Sequence, residues 1–483
     1  MSRCRGAPRS GVNERGSRLS SPACSVQSPI TLHPLIFQRT ATPELGVTMN
    51  MASEDLHSLE EAPRLERVAR AFEAGRFEEA IGLLEPLACS GADPELFNNL
   101  GALFFQQGWM REAEDAFRRA LRLDPAHPSA VANLTDQLIQ EGLPHSALQV
   151  LRAAADAGAP AEVWSAKQSA LEARHRVYKV SIYTPGYASE AFIDRCLRSI
   201  KAQTYPVHEL LLVDDASPDR STAIALEHGV RVSYHSENLG LAASCNTALE
   251  HCTGDFLAKI DTDLELDPTW LERAMWAFRN PEVAGVGGRL IEHRTATVPD
   301  QWRRLCMKQH WGDVQVVNPT GLFGADCIFR VEALRQVGGW NPAYRTNYED
   351  FDLSNRLKQQ GLALLYEPLA CARHLRQDRL ADVVRNCWSW QHPLRQDQGL
   401  YDRLEAVSGC LPLNRTAALN TLQGLLTLER PELLYPSFLL YYGWAFRDLQ
   451  QVLRRRGAPA EEVGQTALGL LAVVRHQLRS TYL

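Results

Sequence analysis

The sequence predicts an α/β domain with mostly parallel strands, lying between an α-helical repeat region and a small α-helical C-terminal region. Three observations predict this order: small residues recur at a fixed interval early in the chain, short β-branched runs alternate with amphipathic helices from Tyr178, and helical patterns return after Arg403. A chain of 483 residues also exceeds one ordinary hydrophobic core. More than one domain is therefore expected.

The composition excludes several classes of protein. A hydrophobic content of 45% and a charged content of 22% are typical of soluble globular chains, and a net charge of -6 gives no general attraction to nucleic acid. The 11 cysteines have no C-x-x-C spacing, so neither a disulfide framework nor a thiolate zinc site is expected. The longest uncharged apolar stretch, Leu433 to Phe446, contains Pro436 and is shorter than the roughly 20 residues of a membrane-spanning helix. We expect no transmembrane span and a cytoplasmic location, with peripheral contact at the inner face of the membrane left open.

Residues 1–62 form a first segment with a distinct composition. Within residues 1–48 arginine, serine and proline are abundant, acidic residues are few, and the sustained hydrophobic stretch of a secretory signal is missing. Met49 and Met51 stand just before the first good helical pattern. We expect either a disordered leader, which a transit-like segment would also be, or an over-extended start.

Residues 63–160 contain an internal repeat that is clearest in the small residues. The recurring residues are Gly75, Gly108 and Gly142, at intervals of 33 and 34, and Ala80, Ala113 and Ala147 at the same intervals. The middle copy contains Phe97, Leu100, Gly101, Phe104, Gly108, Ala113, Phe117, Ala120 and Pro125. This pattern resembles the tetratricopeptide repeat, in which each unit is a pair of packed helices. Each residue alone is explained by packing, whereas the stacked helices together predict a surface for a partner protein.

From Tyr178 onward the pattern predicts strands and helices in alternation. The predicted strands are Tyr178–Tyr183, Glu209–Asp214, Val230–Tyr234 and Phe256–Asp261, and the predicted helices are Phe192–Lys201, Thr222–Glu227 and Leu241–His251. Ligands of such sheets bind beyond the carboxyl ends of the parallel strands. Polar residues at those ends are therefore the first candidates for a site.

Acidic residues follow two of the predicted strands. Asp214 and Asp215 close the second strand, and Asp261 and Asp263 close the fourth after an apolar run. A turn with a capping aspartate explains the first pair about as well as ligand binding does. Two like charges at the end of a buried strand are unfavourable unless a cation or donor groups offset them. A divalent metal with oxygen ligands, which would also neutralise a diphosphate, fits the second pair.

Several motifs stand in a fixed order between residues 177 and 392. They are residues 180–187, 199–206 and 213–219, residues 237–240 with Asn246, the D-x-D motif at 261–263, Gly338-Gly339-Trp340, and Glu349-Asp350-Phe351-Asp352-Leu353 with Arg356 and Gly361. In this order the motifs resemble a family 2 glycosyltransferase of the GT-A fold. The resemblance implies a mixed, mostly parallel sheet with helices on both faces over residues 177–392, followed by a helical region at 403–483.

The resemblance also implies a role for each candidate residue. The donor would be a nucleoside-diphosphate sugar, and the sugar would move with inversion to a hydroxyl of a saccharide, lipid-linked or protein acceptor. Asp350 would be the general base, and Asp263 with His374 would bind Mn²⁺ or Mg²⁺ at the phosphates. A surface histidine is the alternative for His374. Substrate contacts are implied for Pro185, Asp214, Asp215, Asn238, Gly240, Asn246, Asp261, Trp340 and Glu349.

The position of Asp350 has its own chemical argument. Glu349 and Asp350 start a predicted helix over Phe351–Gln360, and the positive end of a helix favours an ionised carboxylate. A pair of helix-capping acids is the alternative.

Two functions of different classes remain open. The first is an active transferase whose repeats recruit a partner, and the second is a repeat-based interaction protein whose transferase domain binds nucleotide sugar without turnover. Gly186, Ala188 and Cys245 depart from polar residues that the family often carries near the nucleotide. The intact Asp263 and Asp350 favour the first function.

Three ring-bearing residues follow the predicted site. Trp388, Trp390 and His392 are expected to form either an acceptor wall, because aromatic faces pack on sugar C–H groups, or part of a core.

Overall fold

The computed structural model describes residues 56–90, 92–174, 177–402, 409–427 and 433–457, together with residues 430, 459 and 461. These residues divide into two compact units, with the boundary between Gln137 and Leu138. The predicted leader lies outside the described residues as far as residue 55, and the first helix begins at Leu56, ahead of the predicted repeat start at residue 63. Residues 403–408 and 462–483 of the predicted C-terminal helical region also lie outside them.

The described residues form seventeen α-helices. Those before the sheet are α1 (Leu56–Glu73), α2 (Phe77–Ser90), α3 (Pro94–Gln106), α4 (Met110–Leu123), α5 (Pro128–Gln140), α6 (Pro144–Asp156) and α7 (Ala161–Arg174). Those between strands are α8 (Ile193–Lys201), α9 (Ser221–Glu227), α10 (Leu241–His251), α11 (Trp270–Ala277), α12 (Val298–Cys306), α13 (Val331–Gln336) and α14 (Glu349–Gln359). Those after the sheet are α15 (Leu380–Asp397), α16 (Cys410–Thr427) and α17 (Leu434–Arg455). None of the described helices is long and apolar enough to cross a membrane.

Paired helices build the first unit, as the repeat pattern predicts. Gly101 of α3 lies so close to α4 that a Cβ atom there would be 2.6 Å from the ring of Phe117. Gly75 and Gly108 follow their helices with φ of +70° and +75°, a left-handed conformation that glycine adopts without strain. The regular spacing of these glycines thus records the turns between helices.

The second unit is built on one mixed sheet of nine strands. The strands are β1 (Val180–Gly186), β2 (Glu209–Asp214), β3 (Arg231–Tyr234), β4 (Phe256–Ile260), β5 (Leu264–Leu266), β6 (Val283–Glu292), β7 (Val316–Val317), β8 (Asp326–Arg330) and β9 (Ala363–His374). Their order is β3-β2-β1-β4-β8-β6-β9-β5, and β7 pairs with β9. The run from β3 to β4 is parallel, β8 is antiparallel to both its neighbours, and β6 is parallel to β9. The predicted fold class is confirmed.

Helices cover both faces of the sheet because its central strands are apolar on both sides. Ile182 and Ala258 belong to a core that includes buried residues of α8 and α11. Tyr183 follows Ile182 in β1, and Leu257 precedes Ala258 in β4. Both belong to a second core, which includes buried residues of α10 and α14. Alternate residues of a strand point to opposite faces, so continuous apolar runs require two covering layers.

Helix α6, which the repeat pattern assigns to the last repeat, packs within the second unit. The carboxylate of Glu272 in α11 accepts the N–H groups of His145 at 2.5 Å and Ser146 at 3.1 Å, and the hydroxyls of Ser146 at 2.6 Å and Thr204 at 2.7 Å. Negative charge is favourable at the N-terminus of a helix. A side chain of the sheet-containing unit therefore caps a repeat helix.

The C-terminal helices share a buried aspartate. Asp448 of α17 accepts hydrogen bonds from Trp388 at 2.9 Å, Arg395 at 2.8 Å, Tyr401 at 2.8 Å and Asn414 at 2.9 Å. Trp388 is therefore a core residue, one of the two roles predicted for it. A fully buried carboxylate is favourable only when donors surround it in this way.

Candidate active site

Parallel strands end at one edge of the sheet, and polar residues follow them. β1 pairs with both β2 and β4, so that Gly186 lies opposite Asp214 and Pro185 lies opposite Val213. Asp261 follows the last residue of β4. The sheet geometry therefore brings the two predicted acidic motifs to the same edge.

Asp215 is bonded to the loop over residues 235–240. Its carboxylate accepts the N–H groups of Leu239 and Gly240, both at 2.8 Å, and lies 2.7 Å from Nδ1 of His235. Asp214 accepts the N–H of Ser217 at 3.2 Å. A base ring that bonded to Asp215 would have to share a carboxylate that already binds three donors. The contacts of Asp215 hold the loop at the end of β2.

Arg345 binds the same loop. Its guanidinium donates to Oδ1 of Asn238 at 2.8 Å and to the backbone carbonyl of that residue. Gly240 has a φ of +96°, and a Cβ atom there would lie 2.5 Å from the carbonyl oxygen of Arg345. Glycine is required at this position for both reasons.

Asn246 and Trp340 are paired through the backbone. The Asn246 amide accepts the N–H of Trp340 and donates to its carbonyl, each at 2.8 Å. The Trp340 ring is buried and packs edge-on against Phe329. The contacts of both side chains are therefore those of a packed turn, and substrate contact at either residue stays a prediction.

A buried lysine connects the two acidic motifs. Nζ of Lys259 donates to Oδ1 of Asp261 at 2.8 Å and to the carbonyl of Gly324, and the N–H of Gly324 donates to Oδ2 of Asp350 at 2.8 Å. Burial is the largest single effect and acts to lower the pKa of Lys259, but the charge of Asp261 together with those of other nearby acidic groups outweighs it, and the pKa is raised. Lys259 is therefore a cation, and it links Asp261 to Asp350 through the backbone of Gly324.

Glu349 and Asp350 open α14 after two residues in the left-handed region. Asn347 and Tyr348 both have a φ of +70°, a conformation that asparagine tolerates but that is strained for tyrosine, and such strain clusters at functional segments. Burial raises the pKa of Asp350, while the N–H groups of Gly324 and Phe351 act in the other direction. Burial and the charge of Asp350 raise the pKa of Glu349 to about 8. Burial thus outweighs the helix end that was expected to favour ionisation.

Asp263, which comes just before β5, contacts His374, the last residue of β9. Leu264 faces His374 across β5 and β9, and Nε2 of His374 lies 3.1 Å from Oδ2 of Asp263. Nδ1 of the same ring lies 3.1 Å from Oε1 of Glu292, to which Arg303 donates at 2.8 Å. His374 is 4% exposed, so the alternative of a surface histidine is wrong.

The Asp263 carboxylate and the His374 imidazole are a donor pair that fits a divalent cation. Burial acts to raise the pKa of Asp263, but His374 holds it below its usual range, and the carboxylate is ionised. Across the described part of the chain, no group of three or more His, Cys, Asp or Glu side chains is arranged to hold a metal ion. A cation bound by Asp263 and His374 would need further ligands, such as the oxygens of a diphosphate.

Two family models and several known proteins match parts of this chain. Residues 181–338 match the family model described as glycosyl transferase family 2, and residues 94–127 match that of the tetratricopeptide repeat. EpsE of Bacillus subtilis, which is named as a candidate glycosyltransferase, is 35% identical over 194 residues, or 38% of this chain and 68% of EpsE. The chain belongs to glycosyltransferase family 2.

This chain matches a smaller share of other similar proteins. Pre-mycofactocin glycosyltransferase of Mycobacterium tuberculosis is 32% identical over 184 residues. These residues are 36% of this chain and 39% of that enzyme. Chondroitin synthase of Escherichia coli is 29% identical over 221 residues, which are 43% of this chain and 28% of that enzyme. Among solved structures, mannosyltransferase PcManGT from Pyrobaculum calidifontis, in complex with GDP-Man and Mn²⁺, is 17% identical with a TM-score of 0.36, over 70% of this chain and 92% of that one. This structural similarity is too low to support an argument.

The family 2 domain contains site residues that sequence reasoning missed. Lys259 could have been found, because a lysine inside an apolar strand must be paired with a partner. Gly324, Glu292, Arg303 and Arg345 carry no such signal. Each acts on a residue that is distant in sequence, so its role depends on the fold.

Proposed function

We propose that this family 2 chain moves a sugar from a nucleoside-diphosphate sugar to an acceptor hydroxyl, with inversion at the anomeric carbon and with a divalent metal. The observation that carries the proposal is the link between the two acidic motifs. Lys259 and Gly324 connect Asp261 of the D-x-D motif to Asp350 of the late motif. A donor diphosphate and an acceptor hydroxyl can then be held by groups of one rigid network.

Asp350 is the general base in this proposal. It accepts one N–H from Gly324 and one from Phe351, both at 2.8 Å, which orient its carboxylate. Its raised pKa brings it closer to neutrality, where a general base works best. Glu349, which keeps its proton at neutral pH because its pKa is about 8, adds no second negative charge beside the base. The proton of the acceptor hydroxyl passes to Asp350 as the hydroxyl oxygen attacks.

Asp263 and His374 would hold Mn²⁺ or Mg²⁺. When bound, such an ion stabilises the negative charge that develops on the nucleoside-diphosphate leaving group. Arg303 and Glu292 orient His374, since Glu292 contacts the ring nitrogen that faces away from Asp263. Partners of this kind fix the ring orientation of a ligand histidine.

The repeats would recruit a protein partner. Stacked helix pairs offer an extended surface, and the repeat match over residues 94–127 supports this role. The partner's identity does not enter the chemistry proposed for the sheet edge.

Two substitutions separate binding from turnover. Nucleotide sugars such as UDP-glucose, UDP-N-acetylglucosamine and GDP-mannose are first screened for Mn²⁺-dependent thermal stabilisation and hydrolysis. Asp263→Asn should abolish Mn²⁺-dependent donor binding, because it removes a charged ligand. Asp350→Asn should keep donor binding and lower turnover by about 10² to 10⁴, because the amide cannot take a proton.

Asp313→Asn changes a carboxylate whose side chain is 81% exposed and should leave binding and turnover unchanged. An Asp350→Asn variant with normal turnover would overturn the assignment of the base. A wild-type protein that binds donors but transfers no sugar would favour the interaction protein with an inactive transferase domain. Retention of the donor's anomeric configuration, measured by NMR on the product, would contradict inversion.

A further inference from the structure

A cavity of about 210 Å³ lies among the C-terminal helices of the second unit. It is bounded by residues of α12, α15, α16 and α17. Three tryptophans line it, namely Trp302, Trp390 and Trp444. Trp390 is partly exposed and lines this cavity, whereas Trp388 is buried in the core.

The indole N–H groups of two of these tryptophans are bonded elsewhere. Nε1 of Trp302 donates to the hydroxyl of Ser437 at 3.0 Å, and Nε1 of Trp444 donates to the carbonyl of Val384 at 3.2 Å. Both side chains are also buried, at 1% and 4% exposure, and belong to one hydrophobic core with Trp388, so Trp390 is the lining tryptophan that offers ring surface to a ligand. Aromatic rings of this kind pack on the C–H faces of pyranoses.

Asn414 supplies a hydrogen-bond acceptor that lacks a partner. Its side chain is fully buried, and Nδ2 donates to Asp448 at 2.9 Å. Oδ1 is also buried and accepts no hydrogen bond from any residue that the structure describes. Asn414 lines the cavity together with Gln391 and Thr421. A buried acceptor without a donor is unfavourable, and a ligand hydroxyl would satisfy it.

None of the described residues that line the cavity carries a charge. Burial raises the pKa of both Cys306 and Cys387 to about 12, so the two thiols in the wall stay neutral. A phosphate or a sugar acid would lose its hydration here without gaining a cationic partner. The described part of the lining therefore favours an uncharged ligand with both hydroxyl groups and apolar faces.

The cavity lies close to the sheet edge described above. Trp302 is the neighbour of Arg303 in α12, and Arg303 lies 3.2 Å from Nδ1 of His374. One turn of α12 thus contributes both to the cavity wall and to the support of His374.

We propose that this cavity binds a neutral pyranose unit of the acceptor saccharide. The proposal rests on the proposed function, because it assigns an acceptor to the same transferase. The Trp390 ring packs on a C–H face of the sugar, and Asn414, Gln391 and Thr421 bond to its hydroxyl groups.

The test measures saccharide binding without any donor. Methyl glucopyranoside, methyl galactopyranoside, methyl mannopyranoside, N-acetylglucosamine and maltose are titrated with intrinsic tryptophan fluorescence and saturation-transfer NMR as readouts. Glucuronic acid and glucose 6-phosphate serve as charged probes. Ala417→Phe places a ring in the cavity from α16, and Leu419→Phe, at an exposed position of the same helix, is the matched control. Trp390→Leu is a second cavity variant, in case the Phe side chain disturbs folding.

At least one neutral saccharide should bind the wild type and the Leu419→Phe control with equal affinity. Ala417→Phe and Trp390→Leu should each weaken this binding by about tenfold or more. The proposal is overturned if no neutral saccharide binds, if the cavity variants bind as the wild type does, or if the charged probes bind equally well. Failure of the proposed function would be distinct, because it would appear as missing turnover of nucleotide sugars in the wild type whether or not the cavity binds saccharides.

Discussion

Replacing Lys259 with methionine tests the link between the two acidic motifs. Methionine has a similar length and fits an apolar strand, but it cannot donate to Asp261 or to the Gly324 carbonyl. The variant therefore removes the cation and leaves the packing volume nearly unchanged. It isolates what the buried charge does.

The burial of the two side chains sets the size of the expected loss in stability. Removing one partner of a buried ion pair destabilises a protein by about 3–5 kcal/mol. The side chain of Lys259 is 2% exposed, but that of Asp261 is 31% exposed, so water can solvate part of the orphaned carboxylate. We expect the lower end, about 3 kcal/mol, which corresponds to a fall in Tm of about 5 °C for a large domain.

The pH profile separates positioning from stability. Lys259 acts to lower the pKa of Asp350. Its removal should raise that pKa further, so the acid limb of the kcat/KM profile should move to higher pH because a base must be ionised to act. Melting is followed by scanning fluorimetry, and kcat/KM by Mn²⁺-dependent donor turnover. The control is Lys179→Met, which changes an exposed lysine just before β1. An unchanged Tm together with an unchanged acid limb would refute the linkage.

Three further predictions concern other residues of the second unit. Glu349→Gln should become progressively more stable than the wild type as the pH rises from about 4.5 to about 8. The reason is that the raised pKa of Glu349 makes its ionisation unfavourable in the folded state over that pH range. Equal free energies of unfolding for the two proteins at about pH 8 would contradict this. Glu272→Ala should lower the free energy of unfolding by about 2–4 kcal/mol in urea titrations through loss of the cap on α6, whereas exposed Glu282→Ala should have little effect. Asn246→Ala should lower Tm while the donor Kd stays constant, because its amide binds the backbone of Trp340; a weakened donor Kd at constant Tm would instead assign Asn246 to the substrate.

The local elements follow closely from the sequence. The predicted strand Glu209–Asp214 and helix Leu241–His251 have those bounds in the structure. β1 runs to Gly186 rather than ending at Tyr183, because the parallel ladder with β2 continues through Pro185. Such ladder contacts come from a distant part of the chain, so periodicity within one strand could not set this end.

Sequence motifs predict some roles in the candidate site, whereas other roles depend on contacts that only the structure shows. The resemblance predicts roles in catalysis or substrate binding for residues of the D-x-D and late acidic motifs, and one network through Lys259 and Gly324 contains Asp261 and Asp350. The roles of Asp215 and Asn246 were less predictable. Their side chains are bonded to backbone groups that lie 24 and 94 residues away along the chain, a distance at which a single sequence gives no pairing information.

By itself the sequence determined the repeats, the α/β domain and the acidic residues at the strand ends, because periodicity and local spacing encode these features, and its ordered motifs carried the resemblance to family 2. Only the tertiary structure decided which of the acids are ionised, which are engaged by backbone donors, and that Glu272 caps α6. It alone also placed three tryptophans around one cavity. The physical reason is the same in each case: burial, charge and hydrogen bonding act between atoms that are close in space, and folding brings them together from residues that are far apart in the chain.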